Sequence, residues 1–131
     1  MLLGADDDCE LVRLIVRCSQ AMDAGEAGGF ARCFSMDGCL QTSSGLLVVG
    51  REELRSLAQT WGSQRTRATR HSTSDYRFVA ENNIVAGGCT IVVSEEPFDS
   101  GRAPVLSGHY EDKYIRTGRQ WLIQRRVVRV P

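Results

Sequence analysis

Apolar residues between Leu11 and Met22 fall on one stripe at helical spacing: Leu11, Leu14, Ile15, Cys18, Ala21 and Met22. The pattern predicts an amphipathic helix capped by Asp6 or Asp7, with Glu10 three residues beyond Asp7 in capping-box position. Asp23-Ala24-Gly25 breaks it. A second, short helical segment carries Phe30, Cys33 and Phe34 on one side. Ser35-Met36-Asp37-Gly38 reads as a turn and Cys39 to Thr42 as a strand. Ser43-Ser44-Gly45 then turns the chain into Leu46 to Val49. Gly50-Arg51-Glu52-Glu53 opens a third helix with its acids where the helix dipole favours them, and Leu54, Leu57, Ala58 and Trp61 mark its buried side.

From Arg70 onward the period changes to two. Residues 70–81, 84–95, 104–116 and 120–130 read as four strands, linked by Asn82-Asn83, Pro97 to Gly101 and a turn at Gly118. Hairpin-like links make the sheet mainly antiparallel. Helices followed by a meander predict an α+β domain with the helices packed on one face of a curved sheet. The 131 residues suffice for one domain with a real core, residues 1–131, and no repeat or linker divides them.

A formal net charge of zero gives no bulk attraction to nucleic acid or to an acidic membrane surface, so neither partner is expected. Arg125, Arg126 and Arg129 read as a solvated edge, since on a strand Arg125 and Arg126 point to opposite faces. The five cysteines form no C-x-x-C pair, and with only His71 and His109 beside them no zinc spacing arises. Met1-Leu2-Leu3-Gly4 runs directly into Asp6-Asp7-Asp8, which is no signal-peptide core, and no apolar run reaches membrane-spanning length. These features predict a reduced, cytoplasmic protein whose cysteines act as small buried hydrophobes. Phosphate loops, nucleophile elbows and nucleotide fingerprints are absent. Apolar helix faces without such motifs predict a cavity for a small, largely apolar molecule, with no metal and no cofactor.

Several short pieces stand in a set order: Ala21-Met22-Asp23-Ala24-Gly25-Glu26, Phe30 to Phe34, Asp37-Gly38 and Gly50-Arg51-Glu52-Glu53-Leu54. Arg70-His71 opens a strand, and Gly108-x-Tyr110-x-Asp112 precedes Trp121 and Arg125. In order and spacing the chain resembles, over nearly its whole length, the SnoaL-like branch of the nuclear transport factor 2-like superfamily. The resemblance implies a cone: helices closing a strongly bent antiparallel sheet around an apolar cavity, with many relatives pairing as homodimers through the sheet. Such relatives include dehydratases, isomerases, polyketide cyclases, small subunits of ring-hydroxylating dioxygenases and binding domains, so the fold leaves function open.

By the same resemblance His71 matches the histidine of dehydratase-type relatives, and Asp23 matches the aspartate that faces the cavity near it. Imidazole titrates near neutrality and suits general acid–base work, while a carboxylate on its other nitrogen fixes the tautomer. Each has a plainer alternative: His71 as a hydrogen-bonded strand residue, Asp23 as the cap of the second helix. Dehydratase relatives carry a tyrosine five residues before that aspartate, where this chain has Cys18, and a thiol is a poor donor to a carbonyl. Asp75, where many relatives have asparagine, is either a second acid near His71 or a solvated residue. Tyr110 shares a strand face with Asp112 and Tyr114, and His109 shares the other with Glu111 and Lys113; the first face reads as core or cavity, the second as solvent or dimer surface. Trp61, Trp121, Phe30, Phe34 and Met22 are core by pattern, with Cys18, Met22, Phe34, Trp61 and Tyr110 the expected substrate-binding set. The reading is a cofactor-independent lyase or isomerase, in which His71 and Asp23 move a proton on a cyclic or polyketide-like substrate. Its rival is a non-catalytic ligand-binding or structural subunit of the same fold.

Overall fold

The predicted apolar stripe forms helix α1, Ala5–Ala24, with Leu11, Leu14, Ile15, Cys18 and Ala21 buried in a computed structural model that describes residues 3–131. Met1 and Leu2, part of the targeting argument, lie outside the described residues. The N-cap is Gly4, not Asp6 or Asp7. Its N–H donates to Asp7 Oδ2 at 3.0 Å, so Asp7 reaches back from the first turn and its neighbours Asp6 and Asp8 complement the dipole. Gly25, at φ 73°, stops the helix in a left-handed turn closed by Glu26 N–H to Ala21 O at 2.8 Å.

Helix α2, Ala27–Arg32, ends before Cys33, and Phe34 opens strand β1, Phe34–Thr42. The predicted turn at residues 35–38 is instead an irregularity inside β1. Five residue steps of β1 (34 to 39) oppose two of the last strand (123 to 125). Strand β2, Leu47–Val49, folds back antiparallel on β1, and helix α3, Arg51–Gln64, follows. Leu54 of α3 is buried; Leu57, Ala58 and Trp61 are partly buried against the core.

Strands β3 (Thr69–Glu81), β4 (Ile84–Glu95), β5 (Leu106–Thr117) and β6 (Gln120–Arg129) are the predicted antiparallel meander. The sheet order is β2-β1-β6-β5-β4-β3, and β1 joins β6 in parallel. Register shifts at Ser74/Arg77 and Lys113/Tyr114 bend the strands, giving the cone-like α+β architecture: helices on one face of a curled, unclosed, mainly antiparallel sheet. Leu11, Ile15, Phe30, Phe34, Ile91, Tyr114 and Ile123 are wholly buried between the two layers.

Because β6 lies between β1 and β5, it is no solvated edge, and only part of the arginine expectation survives. Arg125 is exposed, while Arg126 is 1% exposed. Among the described residues no helix is long and apolar enough to cross a membrane.

Candidate functional site

The C-terminal turn of α1 abuts the start of β3, and this places Asp23 against His71. Asp23 Oδ1 lies 2.5 Å from His71 Nδ1 and accepts from Thr69 Oγ1 at 3.0 Å, while Oδ2 accepts the His71 backbone N–H at 2.8 Å. Three contacts thus fix the carboxylate. Arg65 holds the same helix end, donating to Met22 O at 3.1 Å and Asp23 O at 2.9 Å, where the dipole favours a cation. A carboxylate only accepts, so the Nδ1 contact leaves Nε2 of His71 as the nitrogen free for a ligand. The alternative role for Asp23, capping the second helix, is not taken up: α2 has Glu26 at its N-cap and no side-chain cap bond.

Between helices and sheet lies a cavity of about 730 Å³, and His71 is part of its wall. Alternate residues of β3 face inward, which brings Thr69 and His71 to the cavity together. Apolar side chains, among them Met22, Phe30, Trp61, Val93 and Leu106, make up most of the rest. Phe30 packs edge-on to Trp61 at 6.2 Å between ring centroids.

Of the residues expected to bind substrate, Met22, Trp61 and Tyr110 are on this wall. Cys18 and Phe34 are not. Cys18 is fully buried beneath Arg126, its Sγ 3.6 Å from Nη1, because it lies one helical turn deeper than Met22. Phe34 is also fully buried, its ring 5.3 Å from that of Phe30, because the chain has already entered β1 there. Asp75 is no second acid: it sits exposed at the β3 bulge with φ 54° and accepts from Thr90 Oγ1 at 3.1 Å. His109 lies on the outward face, 3.7 Å from Glu111, while Tyr110, Asp112 and Tyr114 are buried on the inward one.

The pattern missed the ion pair behind the cavity. Arg126 Nε donates to Asp112 Oδ1 at 3.0 Å and Nη2 to Oδ2 at 2.9 Å, with side chains 2% and 0% exposed. Tyr114 O–H adds a bond to Oδ2 at 2.7 Å. The guanidinium stands 3.9 Å over the Tyr110 ring, and both residues line the cavity. Burial works against the Arg126 charge, but the Asp112 carboxylate and its hydrogen bonds, together with Cys18 and Tyr110, outweigh it and hold the guanidinium protonated. Burial also raises the Tyr110 phenol above its ordinary range, so this hydroxyl stays neutral. Cross-strand pairing of Asp112 with Arg126 was the available signal, and it depended on the register of the last hairpin. Among the described residues no group of three or more His, Cys, Asp or Glu side chains is placed to hold a metal ion.

A curled sheet closed by helices over an apolar cavity defines the nuclear transport factor 2-like, or cystatin-like, fold, and two solved structures of that fold cover 100% and 95% of the chain. The chain belongs to the SnoaL-like domain family, whose profile matches residues 5–127. It is similar to a function-unknown protein from Mycobacterium tuberculosis (26% identity, TM-score 0.86, 98% of this chain and 78% of that one). It is also similar in fold to a Catenulispora acidiphila protein in complex with S-DNPA (21%, TM-score 0.85, 97% and 95%). A third is a candidate scytalone dehydratase from Novosphingobium aromaticivorans (18%, TM-score 0.80, 94% and 83%). No curated protein sequence matches the chain.

Proposed function

We propose that the cavity binds a small, largely apolar molecule and that His71 and Asp23 transfer a proton on it. The protein is then a cofactor-independent lyase or isomerase acting on a cyclic or polyketide-like substrate. The observation that carries this reading is the 2.5 Å contact between Asp23 Oδ1 and Nδ1 of a histidine that lines the cavity. In the reaction Nε2 takes a proton from an acidic carbon or hydroxyl and returns it elsewhere on the substrate or to its leaving group. Asp23, behind the ring, orients it and stabilises the imidazolium. That similar folds include a candidate scytalone dehydratase supports the lyase reading.

The test is solvent exchange. Incubated with 1- and 2-tetralone in D₂O, the protein should speed deuterium entry beside the carbonyl, read by mass spectrometry. His71→Ala should slow this by about 10²–10⁴-fold, the usual share of one general acid–base group. Exchange that is unaffected by the substitution sinks the catalytic reading. The second reading is a binding domain without chemistry. It is favoured by Cys18, sealed away from the cavity where relatives are expected to present a phenol, and by Asp75, turned to solvent.

By the SnoaL-like resemblance the protomers pair through the sheet, on whose outer face Val79 is 62% exposed. Sedimentation should give a dimer at micromolar concentration, and a monomer there refutes the pairing. The reading takes the location as cytoplasmic and includes neither nucleic acid nor membrane as partner.

A further inference from the structure

The ion pair behind the cavity does not use all its donors. A guanidinium carries five N–H bonds. Arg126 spends two on Asp112 and one, weakly, on Cys18 Sγ at 3.6 Å. One N–H on each terminal nitrogen has no protein acceptor among the described residues, and Arg126 lines the cavity. Tyr110, whose ring lies under the guanidinium, is in the same position. Its hydroxyl makes no hydrogen bond among the described residues, and it is not one of the sealed, unpartnered atoms, which are Ser19 Oγ and Trp121 Nε1. The hydroxyl is thus not sealed inside the protein, and Tyr110 is part of the cavity wall. Donors left unspent in an apolar wall are costly until something accepts from them.

Charge narrows the acceptor. Asp112 cancels the Arg126 charge at bonding distance, so this end of the cavity offers strong donors without a net positive field. Arg65, also at the cavity, is committed to the α1 carbonyls. A ligand carboxylate set against Arg126 would lose its hydration at a cation that Asp112 has already neutralised. A neutral carbonyl has two lone pairs for two kinds of donor and little hydration to lose.

We propose that Tyr110 and Arg126 together seat the carbonyl oxygen of an uncharged cyclic ketone. The inference rests on the cavity being a small-molecule site, but not on His71 chemistry. It also gives the site the carbonyl donor that Cys18 does not supply.

The experiment compares three ligands of similar shape on the full chain, by calorimetry or quenching of Trp61: 1-tetralone, tetrahydronaphthalene (the same skeleton without oxygen) and 1-naphthoate. The ketone should bind about 10- to 100-fold more tightly than the hydrocarbon, as expected for bonds to a charged donor. Tyr110→Phe keeps the ring under the guanidinium and should shrink that ratio by about 2- to 10-fold, the share of one neutral hydrogen bond. The double variant Asp112→Asn with Arg126→Met should remove most of the remainder while leaving hydrocarbon binding in place. Equal binding of ketone and hydrocarbon, an unchanged ratio in Tyr110→Phe, or preference for the naphthoate overturns the proposal. If neither neutral compound binds, both this and the cavity reading fail. Loss of deuterium exchange with the ratio intact removes only the proton-transfer reading.

Discussion

Arg126→Met should be among the most damaging single substitutions in this chain. The residue lies in a central strand, its side chain is 2% exposed, and Asp112 opposite is 0% exposed. Removing the cation leaves a buried carboxylate with, among the described residues, only the Tyr114 hydroxyl as donor. Breaking a buried pair on one side costs about 3–5 kcal/mol, against about 0–1 for a solvent-exposed pair. A domain of this size is stable by about 5–15 kcal/mol, so the loss is a large fraction of the total. It corresponds to a fall in Tm on the order of 10–20 °C. The double variant Asp112→Asn with Arg126→Met removes both charges and keeps an acceptor for Tyr114, so most of the lost stability should return. Urea titrations of the four proteins followed by circular dichroism supply the cycle, provided m stays constant. A loss below about 1 kcal/mol for Arg126→Met, the value of an exposed pair, refutes the account. So does a double variant that loses the sum of the two single losses.

Gly88→Ala should lower the melting temperature markedly. At φ 152° a Cβ there would stand 1.9 Å from the Tyr110 carbonyl oxygen, so the backbone strain of about 1–3 kcal/mol comes with disruption of the β4–β5 pairing. Asp75→Asn should change stability by no more than about 0.5 kcal/mol, since the side chain is solvated and asparagine tolerates the left-handed turn. It should also leave deuterium exchange unchanged, whereas a second acid at the site would not. Alkali should destabilise the fold between about pH 9 and 11. Burial pushes the Cys89 thiol up from its ordinary 9 to about 11 and raises the Tyr110 and Tyr114 phenols, so the unfolded chain ionises first. This contribution is complete below the unfolded value and is lost as pH rises through the folded one; a flat urea midpoint across that window contradicts it.

Local pattern located most elements well because each has a local cause. The α1 stripe reports one buried helix face, and the strand expected at 84–95 is observed as Ile84–Glu95. Where Phe34 belongs was a different problem. Its spacing from Phe30 suits a helix, but Phe34 pairs with Ile123, nearly ninety positions away, and that contact draws the chain into β1. Periodicity carries no information about which distant strand a segment will join. The parallel β1–β6 pairing, and with it the burial of Arg126, was therefore invisible locally.

The side chains that meet at the cavity divide along the same line. His71 and Asp23 stand at ends of elements with clear sequence signals, and their approach needs only that α1 pack on the start of β3. Arg126 needs an exact register. Counted back from the turn, Thr117 pairs with Gln120 and Tyr114 with Ile123, a spacing that would set Asp112 against Arg125. The shift between Lys113 and Tyr114 adds one residue to β6, so Asp112 meets Arg126 instead. A slip of one residue in a strand exchanges its faces. Without the bulge Arg125 would lie opposite the buried carboxylate, and the arginine that now stands over Tyr110 would face away from it. The bulge that bends the sheet around the cavity thus also selects which of two adjacent arginines supplies its donors.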